Sequence, residues 1–239
     1  MQEIADATAL PVNQLLNALT AEQLRRLTKR GELVEMRFGT VLYEKNQLVA
    51  DVYFPVSGVI SLFAVEDRAM LEVAMTGSEG VLGASVLAGV TLSPHLAIVQ
   101  GTGAALKVSA ADFLREFERN KLFARALNRY SHFLNVQISQ SVLCNSLHVV
   151  EARLACQLLL MQDRLKIDEF PLKQEFLANI LGVRREAVTR AAINLQQREI
   201  IAYSRGKLQI LNRAKLEAVC CRCYEAVSGE YRKLLAVNQ

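Results

Sequence analysis

Apolar and polar positions along the chain follow two different periods, and the change of period divides it. Between Asn13 and Thr28, Leu15, Leu16, Leu19, Leu24 and Leu27 keep a spacing of three to five with polar residues between, which predicts a helix stopped at Gly31. From there the pattern becomes short β-like segments: Leu33–Arg37, Val41–Glu44, Val52–Phe54, Val59–Val65, Leu71–Met75, Ala97–Val99 and Ala105–Val108. Turn signals separate them at Gly39, Pro55–Gly58, Glu66-Asp67, Gly77–Gly80, Gly101 and Gly103. Short strands at such intervals predict a β-sandwich or β-roll. Gly80 to Leu106 holds no Asp, Glu, Lys or Arg and five glycines, so it reads as buried strands and tight turns, too broken for a membrane span.

After Val108 the period lengthens again. Ser109 can cap a helix that carries Asp112, Phe113, Leu114 and Phe117. Lys121 to Asn145 contains neither Gly nor Pro, and Phe123, Leu127, Tyr130, Leu134, Ile138, Ser141 and Asn145 recur at intervals of four and three. At about 1.5 Å per residue this is a helix of about 37 Å with a heptad-like stripe. Ala126, Phe133 and Val136 form a second apolar set, so two faces need cover. That predicts a dimerisation helix with Phe123, Leu127, Tyr130, Leu134, Ile138 and Ser141 at the interface; packing of the stripe on the chain's own β-roll is the alternative. Val149 to Leu165 reads as another helix, with Leu154, Leu158 and Met161 on one face, and Lys166 to Phe170 as a linker. The predicted architecture is α+β: a jelly-roll-like β-roll over residues 1–120, a dimerisation helix over 121–148, and a carboxy-terminal domain over 149–239.

The carboxy-terminal domain carries the most specific pattern. Lys173–Leu181 predicts a short helix with Phe176, Leu177, Ile180 and Leu181 inside, and Gly182 stands where a left-handed residue is wanted. A second helix runs from about Arg184 to Gln197, with Val188, Ala191, Ala192 and Leu195 inside. This is a helix–turn–helix. On the second helix Arg185, Glu186, Thr189 and Arg190 share an arc of about 140° at 100° per residue, opposite Val188 and Leu195. Arg can donate twice to guanine and Glu can accept from cytosine, so these four are candidate base contacts. An acidic residue between two arginines favours base reading over simple phosphate attraction. Ile200–Tyr203, Ser204–Lys207 and Leu208–Leu211 then read as strand, turn and strand: a wing. Lys173, Arg184, Arg205 and Lys207 are candidate phosphate contacts.

Charge supports that division. The chain of 239 residues has a net charge of +4, yet Pro171 to Gln239 holds twelve Lys/Arg against six Asp/Glu, and the rest holds sixteen against eighteen. A basic third on a near-neutral body suits a nucleic-acid-binding module. The first twenty residues contain no Lys or Arg, hence no secretory basic region, and the five cysteines all lie beyond residue 143. An odd number so placed is no disulfide framework, and a reducing cytoplasm is the expected setting. No phosphate loop, carboxylate pair or Ser/His/Asp arrangement suggests an enzyme.

Three stretches carry a family resemblance: Val52–Leu62 with Glu72–Gly83; the long helix followed by Glu151–Ala155; and Gln174–Arg190. On these the chain resembles the Crp–Fnr superfamily of bacterial transcription regulators over nearly its whole length. The resemblance implies a cyclic-nucleotide-binding-like β-roll and a homodimer on a palindromic promoter site in double-stranded DNA, with RNA polymerase as a partner. The Arg185-Glu186-x-x-x-Arg190 array matches the family's base-reading positions. Arg184 departs from it, standing where Ser or Thr often caps the recognition helix.

The resemblance suggests an effector pocket at Gly83, Ala84, Ser85, His95 and Leu96. Cyclic-nucleotide-binding members follow the pocket Gly with a Glu and later place an Arg-Ser pair on the phosphate. Here Gly83 is followed by Ala84 and Ser85, and Ser93–Leu96 contains no Arg. A buried phosphate without a cation is costly, so cyclic AMP is not expected; an apolar small molecule, or none, fits the uncharged stretch. No cofactor or metal is read from the sequence: there is no amino-terminal cysteine cluster, and Cys220-Cys221-Arg222-Cys223 lacks zinc-finger spacing and a nearby histidine. A ligand- or thiol-responsive sensor acting mainly through protein contacts is the alternative function.

Overall fold

The structure is a computed structural model and describes residues 13–67 and 69–236. Most of the residues in which a leader's basic region would be sought lie outside that range.

The alternating segments form seven strands: β1 (Glu32–Met36), β2 (Val41–Tyr43), β3 (Asp51–Pro55), β4 (Val59–Glu66), β5 (Ala69–Thr76), β6 (Leu96–Gly101) and β7 (Gly103–Ser109). They pair antiparallel in two sheets, β1-β7-β3 and β2-β6-β4-β5. Met36, Phe54, Leu106 and Val108 from the first sheet meet Ile60, Leu62, Ala97 and Val99 from the second in one core. The alternate positions of the second sheet, Val59, Phe63, Met75 and Ile98, face the opposite way into a second core. That sheet is thus covered on both faces, which is why β4 begins as an unbroken buried run instead of alternating.

The first predicted helix is broken in two. Asn13 caps a 3-10 turn over Gln14–Ala18, and Thr20 starts α1 (Ala21–Arg30) in a capping box with Gln23. Ser109 caps α2 (Ala110–Arg119) by accepting from the Asp112 N–H at 3.1 Å. The long helix is α3 (Lys121–Leu147), and α4 (Val150–Leu165) follows after a break at His148 and Val149.

For Phe123, Leu127 and Tyr130 the predicted interface is corrected by α3. Phe123, Leu127 and Tyr130 are wholly buried in the protomer's own core, together with Ala126 and Phe133, and Leu134 and Ile138 pack against it. Ala126 and Phe133 share the face of the stripe: positions 123, 126, 127, 130, 133, 134 and 138 span an arc of about 140° at 100° per residue, and Val136 lies outside it. The outer face is polar over Arg125, Asn128, His132, Asn135 and Ser139, then apolar at Val142, Leu143 and Leu147, all exposed.

Part of the predicted linker is a strand, β8 (Glu169–Pro171), which pairs with the wing. Then come α5 (Gln174–Leu181), α6 (Arg185–Gln197), β9 (Ile201–Ser204) and β10 (Lys207–Ile210). Two helices lie beyond the predicted elements, α7 (Arg213–Val219) and α8 (Cys223–Ala236). The latter returns to α3, with the Tyr231 ring centred 6.0 Å from that of Phe133.

Candidate nucleic-acid interface

Two helices and a hairpin assemble the site, and local chemistry sets each angle. Gly182 ends α5 at φ +57°, with its N–H to the Asn179 carbonyl and the Val183 N–H to that of Ala178. This is the paired bonding of a Schellman motif. A Cβ on Gly182 would also stand 2.7 Å from Leu71 Cδ1, so glycine is needed for conformation and for space. Arg184 begins α6 without a side-chain cap, as its departure from Ser or Thr predicts.

Val188, Ala191, Ala192 and Leu195 turn inward from α6 and share the second core with Leu177, Ile180 and Leu181 of α5 and with Leu154 and Leu158 of α4. The opposite face presents Arg184, Arg185, Glu186 and Arg190, all exposed. Thr189 differs from this group. It is half-buried, and its hydroxyl contacts the Gln174 Oε1 at 3.1 Å and the Arg185 carbonyl at 3.0 Å, so it braces α6 on α5.

The wing turn is Ser204–Lys207. Arg205 and Gly206 both have positive φ, +51° and +76°, as a type I′ hairpin turn requires. The Tyr203 hydroxyl donates to the Leu172 carbonyl at 2.7 Å and ties the wing to the start of α5. Lys173, Arg185 and Arg205 thereby line one groove of about 400 Å³ with Gln174, Tyr203 and Gly206. Lys207 is paired instead with Glu169 at 3.2 Å on the neighbouring strand β8. The positions of Gln174, Tyr203 and Glu169 depend on strand and helix pairings that the sequence pattern does not disclose.

The domain is docked on the β-roll. Phe176 of α5 packs edge-on against Phe38 and Phe63, at 5.7 and 5.9 Å. Arg153 of α4 donates to the Asn145 side chain and the Leu181 carbonyl.

The candidate effector residues lie on two elements, the 3-10 turn after β5 and the start of β6. Gly83 has φ +97° and starts a 3-10 turn that holds Ala84 and Ser85. Val49 and Val52 fill the space beside it, 3.1 and 3.0 Å from where a Cβ would stand. Burial lowers the His95 pKa, while Leu96 packs toward the second core. A cavity of about 60 Å³ lies elsewhere, lined among others by Glu72, Gln137, Ser141, Cys144, Arg153 and Gln157.

The fold and site define a winged helix–turn–helix joined to a β-roll through a long helix. Residues 152–219 match the family described as the Crp-like helix–turn–helix domain. A comparison with curated protein sequences finds no significant match. Among solved structures the chain is similar to a protein from Eubacterium rectale assigned to the Crp/Fnr family of transcriptional regulators, with 19% identity, 86% of this chain and 96% of that one covered, and a TM-score of 0.67. It is similar to FixK2 from Bradyrhizobium japonicum, with 18% identity, coverages of 80% and 98%, and a TM-score of 0.68. It is also similar to the c-di-GMP responsive global regulator CLP of Xanthomonas campestris, with 14% identity, coverages of 80% and 99%, and a TM-score of 0.66. Residues 152–219 thus carry the Crp-like helix–turn–helix match, and over 86% of its length the chain has the fold of a Crp/Fnr regulator. No helix among the described residues is long and apolar enough to cross a membrane.

Proposed function

We propose that this chain is a cytoplasmic, sequence-specific DNA-binding regulator of transcription, and not an enzyme, that acts as a homodimer on a two-fold symmetric site. One observation carries the reading: Arg185, Glu186 and Arg190 stand exposed on the first two turns of α6, beside a groove lined by Lys173, Arg185 and Arg205. Guanidinium groups that pair with guanine and a carboxylate that accepts from cytosine read G·C pairs in the major groove. Arg184, Lys173, Arg205 and Lys207 suit phosphate contacts. Thr189 acts by positioning the helix.

The dimer uses the outer face of α3. Val142, Leu143 and Leu147 continue into Val149, and Val142 and Leu147 are 60% and 70% exposed. Side chains of this kind in a row favour a second copy over solvent. Two-fold pairing sets the recognition helices about 34–36 Å apart, one turn of the duplex. Cyclic AMP is not the expected effector, because Ala84 and Ser85 follow Gly83 and Ser93–Leu96 offers no Arg to a phosphate. An effector, if the chain has one, is a small molecule of another class, and RNA polymerase is the downstream partner.

Selection from a pool of randomised duplexes tests this directly. The recovered sites are inverted repeats with a G·C pair in each half, and Arg185→Ala or Arg190→Ala relaxes the preference at one base position. Recovery of no common sequence by the unaltered protein would contradict the reading.

A further inference from the structure

All five cysteines converge in one patch with His148, although Cys223 and His148 are 75 residues apart in sequence. Cys144 is on the last turns of α3 and His148 is its C-cap. Cys221 lies in the turn between α7 and α8, and Cys223 opens α8. The absence of a nearby histidine, read from local spacing, is thus corrected by the fold.

The separations suit a metal ion. The ligand atoms of Cys144, His148, Cys221 and Cys223 all lie within 4.8 Å of one another. The Cys144 and Cys221 sulfurs are 3.5 Å apart, and Cys223 Sγ is 3.4 Å from His148 Nδ1. Tetrahedral zinc with Zn–S bonds of about 2.3 Å places its sulfurs about 3.8 Å apart, so four donors already stand near the corners of such a site. The surroundings supply the outer contacts. Gln140 Nε2 donates to Cys223 Sγ at 3.1 Å, the kind of bond that orients a ligand sulfur. Arg153, whose buried Nε has no partner among the described residues, faces the same cavity as Cys144 and Cys223. Its charge offsets the excess negative charge of three thiolates on one divalent ion.

We propose that Cys144, His148, Cys221 and Cys223 bind one zinc-class divalent ion. Three thiols release their protons to water, each sulfur gives a lone pair to the ion, and neutral His148 gives the Nδ1 lone pair; no electron is transferred. Cys156 and Cys220 form a second trio with Cys221, which has no fourth donor among the described residues. The ion fastens the end of α3 to the α7–α8 turn across the break at His148 and Val149. If the chain binds DNA as proposed, the ion sets the angle of the recognition helices relative to the β-roll; the site itself does not depend on that reading.

The test is elemental analysis of the full chain, purified untagged and without chelator, followed by cobalt(II) titration of the stripped protein in the absence of oxygen. Zinc at one equivalent per chain is expected, with cobalt giving the intense red-region absorption of a tetrahedral thiolate site. Cys144→Ser and His148→Ala are expected to abolish binding, while Cys156→Ser, outside the four, keeps it. Where a variant fails to fold, the cobalt spectrum of the unaltered chain decides. The proposal is overturned by a chain that holds no zinc and gives no cobalt–thiolate spectrum, by iron with stoichiometric sulfide in place of zinc, or by full binding in folded Cys144→Ser and His148→Ala. Metal content is read without DNA, so failure here and failure of the DNA-binding reading are separate results.

Discussion

Arg164, in the last turn of α4, donates from Nε to Glu79 Oε1 at 2.7 Å, and the two side chains are only 6% and 1% exposed. The other Glu79 oxygen accepts from the Gly77 N–H at 3.1 Å, so one carboxylate fixes the turn after β5 and anchors the carboxy-terminal half to it. Removing one member strands a buried charge. Arg164→Leu is expected to cost about 3–5 kcal/mol in urea unfolding, and Arg164→Leu with Glu79→Leu markedly less. A single-variant loss below about 1 kcal/mol, the scale of an exposed pair, would show that the pair is solvated.

Glu72 makes stability depend on pH. It is buried between the β-roll and α4, with Oε1 accepting from Gln157 Nε2 at 2.7 Å and Oε2 without a partner among the described residues. Burial pushes its pKa from 4.5 up to about 7, against the opposing hydrogen bonds and the Arg164 charge. The folded chain therefore keeps a proton that the unfolded chain has lost. This contribution is full below pH ~4.5 and is lost as pH rises through ~7, by up to about 3 kcal/mol at about 1.4 per pKa unit. Glu72→Gln is expected to flatten the decline between pH 5 and 7.5 and to exceed the unaltered protein in stability at pH 8. Parallel stability–pH curves for the two would contradict this.

Base-reading and phosphate-contacting side chains respond differently. Arg190→Ala is expected to cost about 1–3 kcal/mol on the selected site and to relax one base position. Lys207→Ala should weaken all duplexes alike and lower the salt slope by about one. The existing Lys207–Glu169 pair is 70% and 52% exposed, too solvated to hold the lysine back from a phosphate. Equal loss by Arg190→Ala on specific and random DNA would remove it from the base-reading set.

The two faces of α3 separate association from folding. Leu143→Glu, on the outer face, is expected to yield a folded monomer by analytical ultracentrifugation. Leu127→Ala, in the protomer core, should cost about 2–5 kcal/mol and leave the oligomeric state unchanged. Dissociation by Leu127→Ala with unchanged stability would restore the original stripe as the interface.

Where neighbours in sequence are neighbours in space, the pattern was legible. Gly182, the apolar positions of α6 and the Arg205-Gly206 turn report local geometry, so the helix–turn–helix and wing could be placed from spacing alone. The strands of the β-roll were legible for the same reason. Long-range packing was not. The stripe on α3 reads identically whether Phe123, Leu127 and Tyr130 meet a second copy or their own β-roll, because periodicity reports that a face is covered and not by what. The break at His148 and the return of α8 are tertiary outcomes, so the meeting of Cys144 with Cys221 left no trace in local spacing. Thr189 looks like a base contact by helical angle alone; its bond to Gln174 appears only once α5 is in place.

The central claim is base reading by α6, and fluorescence anisotropy on the selected duplex tests it most directly. A scrambled duplex of equal length and a salt series serve as comparisons. The selected site is expected to bind at least about 10³-fold more tightly than the scrambled one, with a log–log salt slope that is steep for both. Arg185→Ala and Arg190→Ala should each lower that ratio by about 5- to 150-fold, the equivalent of about 1–3 kcal/mol, and leave scrambled binding nearly intact. Equal, steeply salt-dependent binding of both duplexes by the unaltered protein would mean that α6 meets only phosphates, and would contradict the assignment.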